Sequence, residues 1–350
     1  MEIIIREMAQ DEIPVVKRIS KKAFGVVEGL MVPGPRQALV AIVDGTIAGG
    51  FIYKYESIAG RKVGSASVFA VDPAFHGKGI GTRLCEEGIR HLWGAGCEAL
   101  VTYVRDDNVA SWGAFKKNGF DCVSVADAAR LFGAAGTVML YFKTIFAFAP
   151  GYDFYVALPG GAPVTEGKAG SGGHIHGYML ANAALLLPIL LRTEDARAML
   201  MAFALVFFGN VLAGYVGTLF SKRQWNFRMV QGGAFIFTLI SIMSFMPFVG
   251  NWYPTHYENT PEFRRDLAVC SMAGWAFLLG VLGAALILGG SVPFLRYAAI
   301  LANMLIIFRC MAYSPISAYG GGRVLDWNKA VFGAFVAVSI AVIWALHSYS

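Results

Sequence analysis

The run His76-Gly77-Lys78-Gly79-Ile80-Gly81 follows an apolar segment that ends at Val71-Asp72-Pro73 and opens a stretch with helical spacing. Glycines at 77, 79 and 81 remove the side chains that would hold a pyrophosphate away from the main chain. The first turn of the following helix directs unpaired N–H groups at the same place. Lys78 adds a mobile positive charge beside that turn. The chemistry open to such a run is cradling an anionic cofactor, although a lone glycine triplet also occurs in dinucleotide sites and in ordinary tight turns.

The elements that must position this run can be read on both sides of it. Residues 2–6 alternate as a strand, and Asp11 to Phe24 place Ile13, Val16, Ile19 and Phe24 on one helical face. After a loop with Pro33, Gly34 and Pro35, two strand-like runs flank Asp44-Gly45, a pair that suits a type I′ hairpin turn. A third strand, 63–71, completes a meander, and Asp72-Pro73 stops it because proline brings no N–H to a ladder. A helix runs from the glycines to about Trp93, a strand covers 99–104, and a helix over 108–117 is stopped by Gly119, with Phe120 packing behind it. The segment 138–145 reads as a last strand. The expected fold of residues 1–146 is therefore α+β, with an anion site at a helix start.

The chain has 350 residues, and its character changes near the middle. Three parts are expected: a soluble domain over 1–146, a Gly- and Pro-rich linker over 147–177, and a multi-pass membrane domain over 178–350. The linker contains the apolar patch Tyr152 to Pro159, which suits a bilayer surface, where tyrosine is favoured. Six apolar segments follow at about 178–191, 198–220, 229–249, 267–289, 292–313 and 330–347, predicting an all-α polytopic domain of about six helices. Lys222, Arg223 and Arg228 fall on the side of the N-terminal domain after two crossings, which suits a cell-membrane protein with that domain in the cytoplasm; Arg264 and Arg265 fall on the opposite side.

Several classes of function are disfavoured. The net charge of +6 is spread over scattered basic residues with no Lys/Arg block interleaved with aromatics, so nucleic acid is not an expected partner and a lipid bilayer is. Cys85, Cys97, Cys122, Cys270 and Cys310 lie far apart, and the charged N-terminus does not read as a secretory signal, so a reducing compartment is expected. No Asp or Glu lies within a predicted span, which argues against a proton-coupled pump. Among the polar residues in the spans, Asn210, Gln231, Arg296, Asn303 and Arg309, Arg296 is placed to snorkel. Asn210 reads either as an interhelical hydrogen-bonder or as part of a site. His174 and His176 have no third ligand at metal-site spacing and read as solvated loop histidines; no metal is expected.

Residues 1 to about 146 resemble the GNAT superfamily of N-acetyltransferases. The family signature is Arg or Gln, two residues, Gly, one residue, and Gly or Ala after a strand, followed by N-x-x-A-x-x-x-Y-x-K-x-G-F. Here the glycines match and the leading residue is His76; the second stretch keeps Asn108, Lys117, Gly119 and Phe120, with Ser111 at the alanine position and Phe115 at the tyrosine position. The resemblance implies a central mixed sheet flanked by helices, acetyl-CoA as co-substrate, and an acyl-CoA site formed by Val71, His76, Gly77, Lys78, Gly79, Ile80, Gly81, Thr82, Asn108 and Phe115. The family's tyrosine often protonates the departing thiolate, which the phenyl ring of Phe115 cannot do.

The implied reaction is direct acetyl transfer to an amine of a protein or metabolite, and it needs a base and an oxyanion donor. Glu56, Tyr103 and Asp106, at strand ends, are the candidate catalytic residues, and Cys85 and Cys97 read as core thiols. A non-catalytic acyl-CoA sensor for a membrane partner is the alternative. The second half resembles, over about 198–330, the site-2-protease family of intramembrane metalloproteases. The carriers are the flanks SKRQWNFRM and SPISAYGGGRVLDWNK. On that register the H-E-x-x-H positions hold Asn210, Val211 and Gly214, and the aspartate position holds Gly320, which removes both zinc ligands and base.

Overall fold

The computed structural model describes the chain except residues 1, 32–33, 106–107, 165–170, 257, 259, 290, 313–315 and 350, and the side chains of 24–31, 109, 171–172 and 349. It divides into two compact units, one of residues 1–104, 110–146 and 153–167 and the other of 105–109, 147–152 and 168–350.

The first unit is built on a seven-stranded mixed sheet in the order β1-β2-β3-β4-β5-β7-β6. Its strands are β1 (Ile3–Glu7), β2 (Ala38–Val43), β3 (Thr46–Ile58), β4 (Arg61–Val71), β5 (Ala99–Arg105), β6 (Asp121–Cys122) and β7 (Tyr152–Ala157). Strands β1 to β4 form the expected meander, with Asp44 (φ 48°) and Gly45 (φ 76°) both left-handed in the first hairpin, as a type I′ turn requires. Helix α1 (Ile13–Met31) buries Val16 and Ile19. Helix α2 (Ile80–Gly94) buries Ile80, Leu84, Cys85, Ile89 and Leu92 at helical spacing. It lies so close to the sheet that a Cβ on Gly88 would come within 2.5 Å of the Phe51 ring. Helix α3 (Val109–Lys117) ends at Gly119 (φ 82°), with Phe120 buried behind it.

Two expectations for this unit are corrected. The segment 138–145 is not a strand: residues 138–143 belong to α5 (Ala134–Lys143), which follows α4 (Val125–Phe132) across Gly133. Burial of Thr137, Leu140 and Thr144 at three- and four-residue intervals shows the period that the bulky composition concealed. The stretch expected as linker contains β7, whose Phe154, Tyr155, Val156 and Ala157 are each at most 1 % exposed, so the apolar patch is sheet interior and not a bilayer contact. Tyr155 and Val156 pair antiparallel with Cys122 and Asp121 of β6.

The second unit is mainly helical: α6 (Ser171–Leu190), α7 (Ala196–Phe203), α8 (Gly209–Thr218), α9 (Ala234–Ser241), α10 (Pro261–Leu288), α11 (Phe294–Cys310), α12 (Gly321–Trp327) and α13 (Lys329–Tyr349). A π-turn at Ala204–Phe208 joins α7 to α8. Helix α10 is the central element. Gly217 lets α8 approach it so closely that a Cβ there would lie 2.7 Å from the Cα of Cys270, and the buried indole of Trp275 donates to Ser339 Oγ on α13 at 3.0 Å.

Here too the expectations shift. Residues 225–254 hold an antiparallel pair, β8 (Trp225–Met229) and β9 (Gly250–Pro254), so the unit is not all-α. The apolar run 229–249 is broken by left-handed Gly233 (φ 80°) and supports only the eight-residue α9. Among the described residues four helical segments are long and apolar enough to cross a bilayer: Gly173–Leu190, Ala196–Thr218, Pro261–Leu288 and Lys329–Ser348. Helix α11, with 17 residues, is slightly shorter. His174 and His176 lie on the first turns of α6 and not in a loop.

The approach of α2 to the sheet sets a test. Gly88→Ala is expected to destabilise the protein by about 1–3 kcal/mol through overpacking against Phe51. Gly94→Ala, which meets nothing within 4 Å at the end of the same helix, is expected to be neutral or to gain up to about 1 kcal/mol. Thermal unfolding midpoints of the full-length variants check both.

Candidate functional site

The first site begins where a ladder stops. β4 and β5 pair in parallel from Val63↔Ala99 to Ala66↔Thr102 and no further, although β4 continues to Val71 and β5 to Arg105. On its other edge β4 stays paired with β3, but Ile52 faces Val68 while Tyr53 faces Ala66, so Ser67 is an extra residue. Such a bulge bends its strand and increases the local twist, and it stands at the point where β4 leaves β5. Thr102 Oγ1 donates to the Ala66 carbonyl at 2.8 Å and finishes the last rung. Beyond it, no β5 residue stands in register against Val68–Val71 among the described residues.

At the mouth of this fork the chain turns into the glycine run. Asp72 accepts the Ala74 N–H at 3.0 Å to cap the short turn Pro73–Phe75, and its carboxylate pairs with Lys22 at 2.8 Å. That pairing and the capping bond hold the Asp72 carboxyl below its ordinary range. His76, which departs from the Arg or Gln of the signature, donates Nε2–H to the Val71 carbonyl at 3.0 Å and ties the loop to the strand end. Gly77 (φ 76°) and Gly79 (φ 74°) are left-handed, and a Cβ on either would meet nothing within 4 Å, so the requirement for glycine is conformational and the space above them is open. Gly79 caps α2 without a side chain. The first intrahelical bond is the one from the Arg83 N–H to the Gly79 carbonyl at 3.1 Å, so the N–H groups of Ile80 to Thr82 precede it. A Cβ on Gly81 would lie 3.5 Å from Val71 Cγ2, at the fork. Lys78 is exposed, its ammonium 5.1 Å from the Phe75 ring.

The remaining candidates separate. Tyr103 is the first residue of β5 past the last rung, on the face opposite Thr102, with its ring 6.4 Å from that of Phe146. Burial pushes its phenol up to about 12, so it stays protonated at neutral pH. Glu56 is not brought to the fork: it pairs with Val63 at the closed end of the ladder and forms an ion pair with Lys143 of α5 at 3.2 Å. Asp106 lies outside the described residues. Asn108 precedes α3, and its N–H bonds the Arg105 carbonyl at 3.0 Å. Phe115 is 3 % exposed, with its ring edge-on to Phe69 of β4 at 5.5 Å and to Phe120 at 5.1 Å. It packs the strand that forms one side of the fork. Cys85 is fully buried, which pushes its thiol up to about 12 and makes it inert as a nucleophile. Ser67 and Thr102 escaped the sequence reading, because a bulge and the length of a ladder leave no residue-type signal.

A small chamber lies in the helical unit. Asn210, Val211 and Gly214 line one chamber together with Ser271, Arg309 and Arg323, and a Cβ on Gly320 would lie 3.1 Å from Ser271 Oγ. Asn210 Oδ1 accepts from Arg309 Nη2 at 2.8 Å, so the residue bonds between helices. Among the described residues no three His, Cys, Asp or Glu side chains cluster as metal ligands.

Against known proteins, residues 8–120 match the family model "Acetyltransferase (GNAT) family". The mycothiol acetyltransferase of Saccharomonospora viridis is 41 % identical over 64 residues, which are 18 % of this chain and 21 % of that protein. The mycothiol acetyltransferase of Mycobacteroides abscessus is 35 % identical over 80 residues, 23 % of this chain and 27 % of that protein. The chain thus spans only about a quarter of the length of these curated relatives. Among solved structures, a GNAT family acetyltransferase from Brucella melitensis in complex with acetyl-CoA covers 34 % of this chain and 83 % of its own at 25 % identity and a TM-score of 0.30. The ribosomal-protein-S18-alanine N-acetyltransferase of Escherichia coli covers 48 % and 98 % at 16 % identity and a TM-score of 0.34. The N-terminal mixed-sheet domain of this chain is a GNAT acetyltransferase domain.

Proposed function

We propose that the protein is a membrane-anchored N-acetyltransferase, carrying an acetyl group from acetyl-CoA to an amine. The observation that carries this reading is the fork of β4 and β5 opening directly onto the glycine cradle at the start of α2. Acetyl-CoA supplies the thioester. Residues His76 to Thr82 suit its pyrophosphate, through the N–H groups that precede the first helical bond and Lys78, and the edge of Val68–Val71 beyond the last β5 rung suits an amide-bearing chain running into the fork. A neutral amine attacks the thioester carbonyl, the C–N bond forms, and the C–S bond breaks with the electron pair leaving on sulfur. The amine nitrogen gives up one proton to bulk water, and the thiolate gains one from a protein acid that water then reprotonates. Tyr103, protonated and next to the last rung, is the group we assign to protonate the thiolate in place of the absent tyrosine at position 115. The acceptor is an amine; mycothiol acetyltransferases match only the N-terminal part of the chain.

The helical unit is the proposed anchor, with the N-terminal domain on the cytoplasmic side of a cell membrane. Four segments of spanning length support this, and so do bulky apolar side chains left outside its core: Ile287 is 80 % exposed, Trp344 70 % and Phe220 75 %. The gathering of Asn210, Val211 and Gly214 around one chamber, with Gly320 against Ser271 of its lining, supports its resemblance to site-2 proteases, as a scaffold whose zinc ligands and base are replaced. A second reading, an acyl-CoA sensor without turnover, is favoured by the phenyl ring at 115 and by the ion pair that engages Glu56.

Three measurements on the full-length protein test these readings. Free thiol is released from acetyl-CoA in the presence of an amine pool if the protein is an enzyme, and binding without thiol release selects the sensor. Gly81→Asp, which sets a carboxylate against the cradle, is expected to weaken acetyl-CoA binding at least tenfold, about 1.4 kcal/mol, in equilibrium titration. Tyr103→Phe is expected to lower kcat by about 10²–10⁴ while leaving acetyl-CoA affinity unchanged. In wild type the corresponding loss of rate on the alkaline side should fall above pH 10, because the phenol is raised and not lowered by its surroundings.

A further inference from the structure

On sequence alone Lys222 and Arg223 fall on one side of a bilayer and Arg264 and Arg265 on the other. The structure brings all four to the same end of the helical unit. Ser221 Oγ donates to Asp266 Oδ2 at 2.9 Å, and Arg223 Nε donates to the same oxygen at 3.0 Å, which joins the end of α8 to the start of α10. Between them α9, with eight residues, is too short to cross a bilayer, and β8 pairs back onto β9. Helix α10 has 28 residues and is about 42 Å long, against a hydrocarbon core of about 30 Å, so its charged first turns have length to spare for the headgroup layer.

An open cleft lies at this junction, lined by Phe220, Ser221, Lys222, Arg223, Arg265 and Asp266, with His256 and Glu258 also in its wall. Asp266 is buried, and Arg223 bridges it to Glu258. Arg265 touches Asp266 at 3.3 Å while its side chain stays 54 % exposed, and Lys222 is exposed with no ion pair among the described residues. Three cations against two carboxylates leave positive charge in surplus. The cleft continues between the two helices past Gly217 and Val269. On the outward face of α8, Leu212, Tyr215, Val216 and Leu219 are exposed at three- and four-residue spacing, and exposed Phe220 extends this apolar stripe to the cleft. We propose that the cleft holds the phosphodiester headgroup of an anionic phospholipid, with Lys222 and Arg265 on the phosphate oxygens and an acyl chain along α8. A free phosphate makes no use of the stripe, and the ammonium of a zwitterionic headgroup meets the surplus of positive charge. The proposal rests on the helical unit being a membrane anchor and is independent of the acyl-CoA reading.

The experiment begins with membranes carrying the full-length protein, washed in alkaline carbonate. Release of the protein overturns the anchor reading and this site with it. Retained protein is purified in a neutral maltoside detergent and titrated at constant ionic strength with phosphatidylglycerol, phosphatidylcholine or inorganic phosphate. The unfolding midpoint is expected to rise saturably with phosphatidylglycerol, by at least about 2 °C, to rise less with phosphatidylcholine, and to stay unchanged in inorganic phosphate. Lys222→Gln and Arg265→Gln, both at exposed positions, should each move the half-saturation upward about fivefold. Arg197→Gln, an exposed basic position at the far end of the α7–α8 segment, should leave it in place. An equal rise with phosphatidylcholine, or an Arg197→Gln shift as large as the other two, overturns the site and leaves the anchor standing; an equal rise with inorganic phosphate makes the cleft a free-anion site and overturns the lipid assignment.

Discussion

Every backbone N–H and C=O in a sheet needs a partner, and in the N-terminal domain β5 stands in register against only part of β4. The ladder with β5 ends at Ala66 and Thr102, while β4 runs on to Val71. The bulge at Ser67 turns β4 aside, Thr102 closes the last rung, and the His76 imidazole anchors the following loop to Val71. Each of these contacts has the same result: a strand end beyond its last β5 rung that leads to a helix start stripped of side chains. We propose that a ligand with amides along its length and a phosphate at its end fits both places.

The parts of this arrangement legible in the sequence are those where residue type is forced. Gly77 and Gly79 sit at positive φ, Asp44-Gly45 makes the turn its composition demands, and Asp72-Pro73 ends a strand. Helix α2 showed through the spacing of its buried face. The fork itself is a matter of how far two strands run together, and no residue type encodes that. The same limit explains the errors. Val138 to Ile145 is rich in residues that favour strands, yet its burial has helical period; Tyr152 to Ala157 looks like a linker because glycine and proline surround it, yet tertiary pairing makes it a strand. Glu56 lies near a strand end in the sequence, and the register places it opposite Val63, away from the point where β4 leaves β5.

In the helical unit, apolar composition gave the spans but not their number, because Gly233 and the β8–β9 pair interrupt a run that hydropathy alone reads as continuous. Asn210 and Arg309 were visible as polar residues in apolar surroundings, although 99 positions separate them; that they bond to each other depends on α8 and α11 both packing against α10. The glycines that permit these approaches, Gly217 and Gly274, carry no signal except their small size.

We propose that the edge of β4 beyond its last β5 rung and the start of α2 receive one ligand. Amide hydrogen exchange on the full-length protein, with and without acetyl-CoA, tests it directly. Protection on binding is expected to concentrate at Val68–Val71 and at Gly77–Thr82, with the β1–β2 ladder unchanged. Exchange at both segments that is indifferent to acetyl-CoA would contradict it.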